Sequence, residues 1–329
     1  MGSLFSCCVA TVEEELDYAN DRVREIEKDV VDKVRNAEEE AVERVRDAEE
    51  DVTERVRDLE DDASSTRGRT DDDDDEFVLS TPQNLRPEMS ALLSRLHVLV
   101  IGPGLGREPY MQAFARMALN VAKEQGMFLV IDADGLYLVG QELDLVKGYR
   151  RAVLTPNVVE FKRLSEQAGI DPKIEAHKRA SAVSQVLGGV TILQKGANDI
   201  ICANTQGTSK EAHEQSKVSP SEGEQNETIE VDTPGGLKRC GGQGDILSGA
   251  VGAFLAWGKC YEMGAFGDKT IPVSRMPILA AVGASMMTRA TSRIAFEREG
   301  RGVVTQDMLQ DIGRGFVHIF GKDQQGGKL

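Results

Sequence analysis

Residues 239–249 read RCGGQGDILSG: Gly241, Gly242 and Gly244 crowd around one carboxylate, Asp245, and an apolar run follows at once. Without β-carbons, glycines reach backbone conformations closed to other residues, so successive N–H groups can converge on one point. A helix starting there adds the positive end of its dipole at the same place. Such a turn makes an anion hole suited to the oxygens of a phosphoryl group in transfer, a chemistry that rests on positioning and charge stabilisation. Asp245 at its mouth is placed to accept the proton of an attacking hydroxyl. Taken alone, the same letters also read as a loop with a capping aspartate.

Four other stretches place glycine or polar residues directly after a short apolar run. They are GPGLG (Gly102, Gly104, Gly106), DADGL (Asp132, Asp134), TPNVVE (Pro156, Asn157, Glu160) and QKGAND (Lys195, Gly196). Singly, each has a plain structural reading: a tight turn, a helix cap, an acceptor for helix N-terminal amides, a surface lysine. Core packing gives no reason for all five to stand at strand ends of one body.

The elements that must carry these residues follow from the apolar rhythm. LHVLVIG and MFLVIDAD are short, wholly apolar runs of the kind buried in a parallel sheet, and AVLTP, VTILQKG, DIICAN and TIEVDTP read as further strands. PYMQAFARMALNVAKEQG is an amphipathic helix ending at Gly126. Helices are also predicted in NVVEFKRLSEQAG, around 173–187, in ILSGAVGAFLAWG and in MPILAAVGASMMTRATSRIA. Residues 204–227 are polar and read as a surface insertion. The alternation predicts a doubly wound α/β sandwich, in which ligands bind outside the carboxyl ends of the strands.

Charge divides the 329-residue chain. Residues 1–76 carry 11 basic and 28 acidic side chains, and the remainder carries 28 and 27. The acidity therefore belongs to an N-terminal arm, and no basic face invites nucleic acid. In the arm, Val23, Val34, Val45 and Val56 recur every eleven residues, which is three helical turns. The predicted product is a charged helix over 1–66 with one thin apolar stripe: a solvated single helix, or alternatively a coiled coil or membrane-lying helix. The five aspartates of 71–75 lie in a predicted disordered linker over 67–84. MGSLFSCC fits an acylation pattern, with Gly2 for myristate and Cys7 and Cys8 for palmitate, against the reading of a chance match. Five cysteines without metal-ligand spacing suggest reduced thiols. No apolar run reaches membrane-spanning length.

The series VIGPGLG, VIDADGL, LTPNVVEF, LQKGAND and CGGQGDILSG resembles the ATP-dependent (S)-NAD(P)H-hydrate dehydratases of the ribokinase-like superfamily, from about Leu96 to Phe320. The resemblance implies a ribokinase-like three-layer α/β sandwich with a mostly parallel central sheet over 85–322, and a tail at 323–329. It implies a lyase that uses ATP, with Mg²⁺, to dehydrate hydrated NADH or NADPH and release ADP and phosphate. Asp245 would be the base and also touch the substrate, with Gly241, Gly242 and Gly244 as the anion hole. Gly104 and Gly106, with Asn157, Val158, Val159, Glu160, Phe161, Lys162 and Arg163, would line the substrate site. Lys195, Gly196, Ala197, Asn198 and Asp199, with Gly236, Leu237, Lys238, Arg239, Cys240 and Gln243, would join the glycines in holding ATP. Asn157 and Glu160 would help organise Mg²⁺ through water.

The family's opening glycine-rich strand–loop–helix unit has no counterpart before Leu96, where the acidic arm stands. The expectation is a sheet short of one interior strand, with apolar surface left exposed or covered by a partner. Other readings are a nucleotide-binding relative without turnover, another ribokinase-like small-alcohol kinase, and an adaptor whose acylated arm matters most. The expected location is cytoplasmic, with membrane association through the arm or a mitochondrial location as alternatives. Self-association is left open.

Overall fold

Strands buried on both faces need two apolar coats, and the chain supplies one between its strands and one after its sheet. The computed structural model describes residues 84–204 and 226–321, all within one unit, Asp74–Leu329. The predicted arm, nearly all of the linker, Gly2, Cys7, Cys8, most of the polar insertion and the tail lie outside the described residues.

Six strands form one sheet in chain order: β1 (Val98–Ile101), β2 (Phe128–Ile131), β3 (Ala152–Leu154), β4 (Thr191–Gln194), β5 (Asp199–Asn204) and β6 (Asn226–Val231). The first four are parallel, with Val98 opposite Phe128, Leu129 opposite Ala152 and Val153 opposite Thr191. β5 and β6 run antiparallel, with Ile192 opposite Cys202 and Ile201 opposite Ile229. Helix α1 (Arg86–Leu93) precedes the sheet. The crossovers are α2 (Pro109–Glu124), α3 (Ala133–Gln141) and the pair α4 (Val158–Gln167) and α5 (Ala176–Val186). Parallel crossovers share one hand, so a sheet that grows always in one direction collects them on one face. Leu129, Ile131, Leu154, Ile192 and Cys202 point to that face. Burial pushes the Cys202 thiol up to about 12, which keeps it neutral.

The alternate residues Phe128, Val130, Val153, Leu193 and Ile201 face the other way. They are covered by α6 (Gln243–Met263) and α7 (Met276–Glu299), with α8 (Thr305–Leu309) and α9 (Ile312–Phe320) outside them. This double burial is why the strand sequences show no polar alternation. β1 stands at the edge of the sheet formed by the described residues, with Val100 38% exposed. Among the described residues no helix is long and apolar enough to cross a membrane.

The far end of α6 is pinned to the sheet by charge. Arg151, just before β3, donates to Glu262 through both guanidinium arms, at 3.0 and 2.5 Å, and Lys259 adds a third contact at 3.0 Å. The bidentate hydrogen bonds from Arg151, aided by Lys259, hold the Glu262 carboxyl down at about 2. Glu262→Gln is expected to lower stability by about 1–2 kcal/mol at neutral pH, allowing for solvent screening of a partly exposed pair. A depressed carboxylate stabilises above its unfolded value. The gap between the two proteins in denaturant titrations should therefore shrink as pH falls below about 4.5 and close near 2.

Candidate active site

The site begins where two loops share space. Asp132 follows β2 and caps α3, its Oδ1 accepting from the Ala133 amide at 2.9 Å. Its backbone amide donates to Ile101 across the strand ends, and its carbonyl accepts from Gly135. Gly102, after β1, lies so close that a β-carbon there would fall 1.8 Å from the Asp132 carbonyl oxygen. Gly102 also has φ +122, which L side chains rarely adopt. Ala133 is one of two described non-glycine residues with positive φ, at 46.

Asp132 is almost fully buried, and its Oδ1 also accepts from Lys195 Nζ at 2.8 Å. Lys195 leaves the end of β4, where its amide donates to the Pro156 carbonyl at 2.8 Å, so the β3 and β4 loops are tied together. The next residues are held by Asp199. Its Oδ1 accepts from the Gly196 amide and pairs with Arg289 at 3.1 Å, and its Oδ2 accepts from Ser285 at 2.7 Å. Arg289, on α7, also donates to the carbonyls of Thr233 and Ala197. The Asp199 carboxylate is thus engaged in holding the loop that carries Lys195.

The glycine turn meets this cluster from the opposite face of the sheet. Gly242 takes the left-handed conformation, φ +87, and starts α6. Thr305 donates to the Gly241 carbonyl, and a β-carbon on Gly242 would press on Thr305 at 3.1 Å. Lys238 reaches the carbonyls of Arg301 and Val303, so the chain before α8 buttresses the turn from behind. Gly244 is the point of contact. A β-carbon there would lie 3.4 Å from Lys195 Nζ and 3.6 Å from Asp132 Oδ2. Asp245 stands in the first turn of α6 and is exposed. Among the described residues none donates a hydrogen bond to its carboxylate.

A cavity of about 760 Å³ opens beside the turn. Of the residues expected to hold a nucleotide, Lys195, Gly196, Ala197, Asp199, Gly236, Arg239, Cys240, Gln243 and Gly244 line it, and Asn157, Val158 and Val159 join them. Others stand off. Leu237 is 84% exposed, Asn198 donates to Glu230, Lys238 faces the buttress, and Gly241, Gly242 and Asp245 are not among the residues that line the cavity. Gly104 and Gly106 lie on the β1 loop outside this cavity, where the Gly106 amide donates to Asp134 at 3.2 Å. Phe161 and Lys162 line a second cavity of about 550 Å³ instead, and exposed Arg163 lines neither.

The sequence reading missed Ser285, Thr288, Arg289 and Ser292, which all line the large cavity. Their spacing on α7 is a signal: a polar stripe at helical period in an otherwise apolar helix. Thr288 is 8% exposed, and its hydroxyl has no partner among the described atoms.

Asn157 and Glu160 are placed differently from a ligand pair. The Asn157 Oδ1 accepts from the amides of Val159 and Glu160, and the Glu160 Oε2 accepts from the Asn157 amide at 2.8 Å. This is a reciprocal capping box that starts α4. Among the described residues no three His, Cys, Asp or Glu side chains come together as a metal cage. The cap engages Asn157 Oδ1 and Glu160 Oε2 and leaves Glu160 Oε1 outside it.

Comparison with known proteins gives the family and the fold. The sequence model of the family described as NAD(P)H-hydrate dehydratase matches residues 75–221 and 218–314. An ATP-dependent (S)-NAD(P)H-hydrate dehydratase of Mycosarcoma maydis is 40% identical over 245 residues, covering 71% of this chain and 63% of that protein. One of Neurospora crassa is 38% identical over 250 residues, covering 73% and 65%. The chain thus spans somewhat under two thirds of these relatives. A hypothetical protein from Streptococcus mutans shares the fold, with a TM-score of 0.50 at 17% identity over 72% of this chain and 71% of that one. The expected ribokinase-like α/β sandwich is borne out.

Arg289→Met should leave the buried Asp199 carboxylate without its counter-charge, which costs about 3–5 kcal/mol. Hydrogen exchange is expected to accelerate over residues 195–199 first, and unchanged exchange there would contradict the role given to Arg289.

Proposed function

Since the chain belongs to the NAD(P)H-hydrate dehydratase family, we propose that it carries out ATP-dependent dehydration of hydrated NADH or NADPH, restoring the reduced cofactor. The observation that carries this reading is the meeting of Gly244, the last glycine of the turn, with the Lys195 ammonium at the edge of a cavity of about 760 Å³. Backbone donors at a helix start and a cation on the other side suit a polyphosphate end.

The chemistry then runs in two stages. The ring hydroxyl of the hydrate is a poor leaving group, so its oxygen attacks the γ-phosphoryl of ATP. ADP leaves and Asp245 takes the hydroxyl proton. The glycine amides face the charge that develops on the transferring group. The ring nitrogen's lone pair then expels phosphate, and loss of a proton from the adjacent carbon restores the dihydropyridine. Asp245 suits the first step through position, at the first turn of α6 beside the anion hole. Mg²⁺ would arrive with the nucleotide, and Asn157 and Glu160, fixed by their capping contacts at the start of α4, would help hold it through water.

Purified protein given hydrated NADH, ATP and Mg²⁺ is expected to regenerate the absorbance band of the reduced nicotinamide. Asp245→Ala should slow this by about 100-fold or more. Regeneration without ATP, or at full rate in the variant, would refute the reading, and ATP binding without regeneration would leave a nucleotide-binding relative.

Gly244→Ala gives a separate check. The added methyl makes only ordinary contacts, so melting should barely change. It would occupy the space between the turn and Lys195, and ATP affinity should fall by about tenfold or more, about 1.4 kcal/mol.

A further inference from the structure

Resting on that phosphoryl-transfer reading, we propose that Asp132 is a positioning residue that fixes the Lys195 ammonium against the equatorial oxygens of the transferring phosphoryl group, over which the charge of the transition state is spread. The geometry comes first. Lys195 Nζ is 2.8 Å from Asp132 Oδ1, and both groups border the site of the missing β-carbon on Gly244. The side chain of Lys195 is 20% exposed and lines the large cavity, while that of Asp132 is 2% exposed. The carboxylate lies behind, and the ammonium faces the open side.

The other cations of the cavity are placed for different work. Arg289 is committed to Asp199 and to two backbone carbonyls. Arg239 is exposed and lies one residue before Cys240, ahead of the glycine turn. Lys195 is the cation that reaches Gly244.

A lysine has a flexible four-carbon stem and a compact charge. Left free, its ammonium would settle on whichever phosphate oxygens of bound ATP are nearest. That contact would strengthen binding of the ground state and the transition state alike, which does not speed the chemical step. Tethered to Asp132, one N–H is spent and the remaining two are aimed at a fixed point. The tether is itself held rigidly. Asp132 is wedged against Gly102, hydrogen-bonded to Ile101 and Gly135, and followed by Ala133 in a left-handed conformation. Strain of this kind persists only where the surroundings over-determine it, and it collects at working sites. A buried ion pair kept for stability alone is commonly matched by apolar packing. Here one partner faces the cavity.

The test uses the full chain in Mg²⁺ buffer and compares affinity for ADP with affinity for ADP plus fluoroaluminate, a mimic of the phosphoryl group in flight. Three variants are needed: Asp132→Asn, Lys195→Ala and the double. Asp132→Asn is expected to bind ADP within about threefold of the unmodified protein and the fluoroaluminate complex at least about tenfold more weakly. Lys195→Ala should show the same split, and the double variant should lose no more than the worse single. In turnover with hydrate, Asp132→Asn should lower kcat while KM for ATP stays level or falls. Losses that multiply in the double variant, or that strike ADP alone equally, would overturn the proposal. If Asp132→Asn does not fold, Lys195→Ala decides. Added ethylammonium should restore its fluoroaluminate complex, and failure to do so counts against a fixed ammonium. If the unmodified chain binds no ADP, the nucleotide reading fails and this inference falls with it, a result distinct from the others.

Discussion

Two backbones can occupy neighbouring space only if one gives up its side chain, and the contact between Gly102 and the Asp132 carbonyl is that case. With no β-carbon at Gly102, the β1 loop closes onto the start of α3, and Gly135 meets Ile101 under the same condition. Everything that follows in the site hangs from this interlock. It fixes Asp132, Asp132 holds Lys195, and Lys195 faces Gly244 at the head of α6. A parallel sheet makes such a relay possible because its strand ends lie side by side, so loops distant in sequence become neighbours.

The two halves of the relay come from opposite faces of the sheet. Lys195 and Asp132 leave strand ends, whereas Gly244 belongs to a helix that packs on the second face. Their meeting depends on how α6 lies against β1 and β2. Arg151 and Glu262 fix its far end, and Thr305 and Lys238 fix the turn at its near end. Arg289 plays the equivalent part for the β4 loop by crossing from α7 to Asp199. Each anchor joins segments far apart in the chain.

The sandwich and the strand-end residues were legible because burial on both faces leaves runs such as FLVI without polar alternation, and because glycines clustered after them mark backbone turns. Asp132 was readable as a cap or as a ligand-facing carboxylate, and it caps α3 while holding Lys195. Helix α3 itself was implied only by that cap reading. Gly135 and Gly140 weaken helix propensity, and both are there to let a neighbour approach, Ile101 for one and Gln167 for the other. Arg289 and the buttress at Thr305 escaped notice because nothing local in their segments names a partner tens of residues away. Glu160 was readable as an acceptor for helix N-terminal amides and, with Asn157, as a pair that organises Mg²⁺ through water; the capping box realises the first reading and does not test the second.

The strand order has a consequence for how this molecule comes off the ribosome. All six strands and the helices of the first face are made before α6 and α7. At roughly 5–20 residues per second, several seconds separate the emergence of β6 from that of the last turn of α7. During that interval Phe128, Val130, Val153, Leu193 and Ile201 lack the cover that α6 and α7 give them. Apolar surface left open in this way during synthesis is prone to aggregation until its cover arrives. The glycine turn leads α6, the first of the two helices that cover this face, so it is placed in the same late stage that completes the second coat.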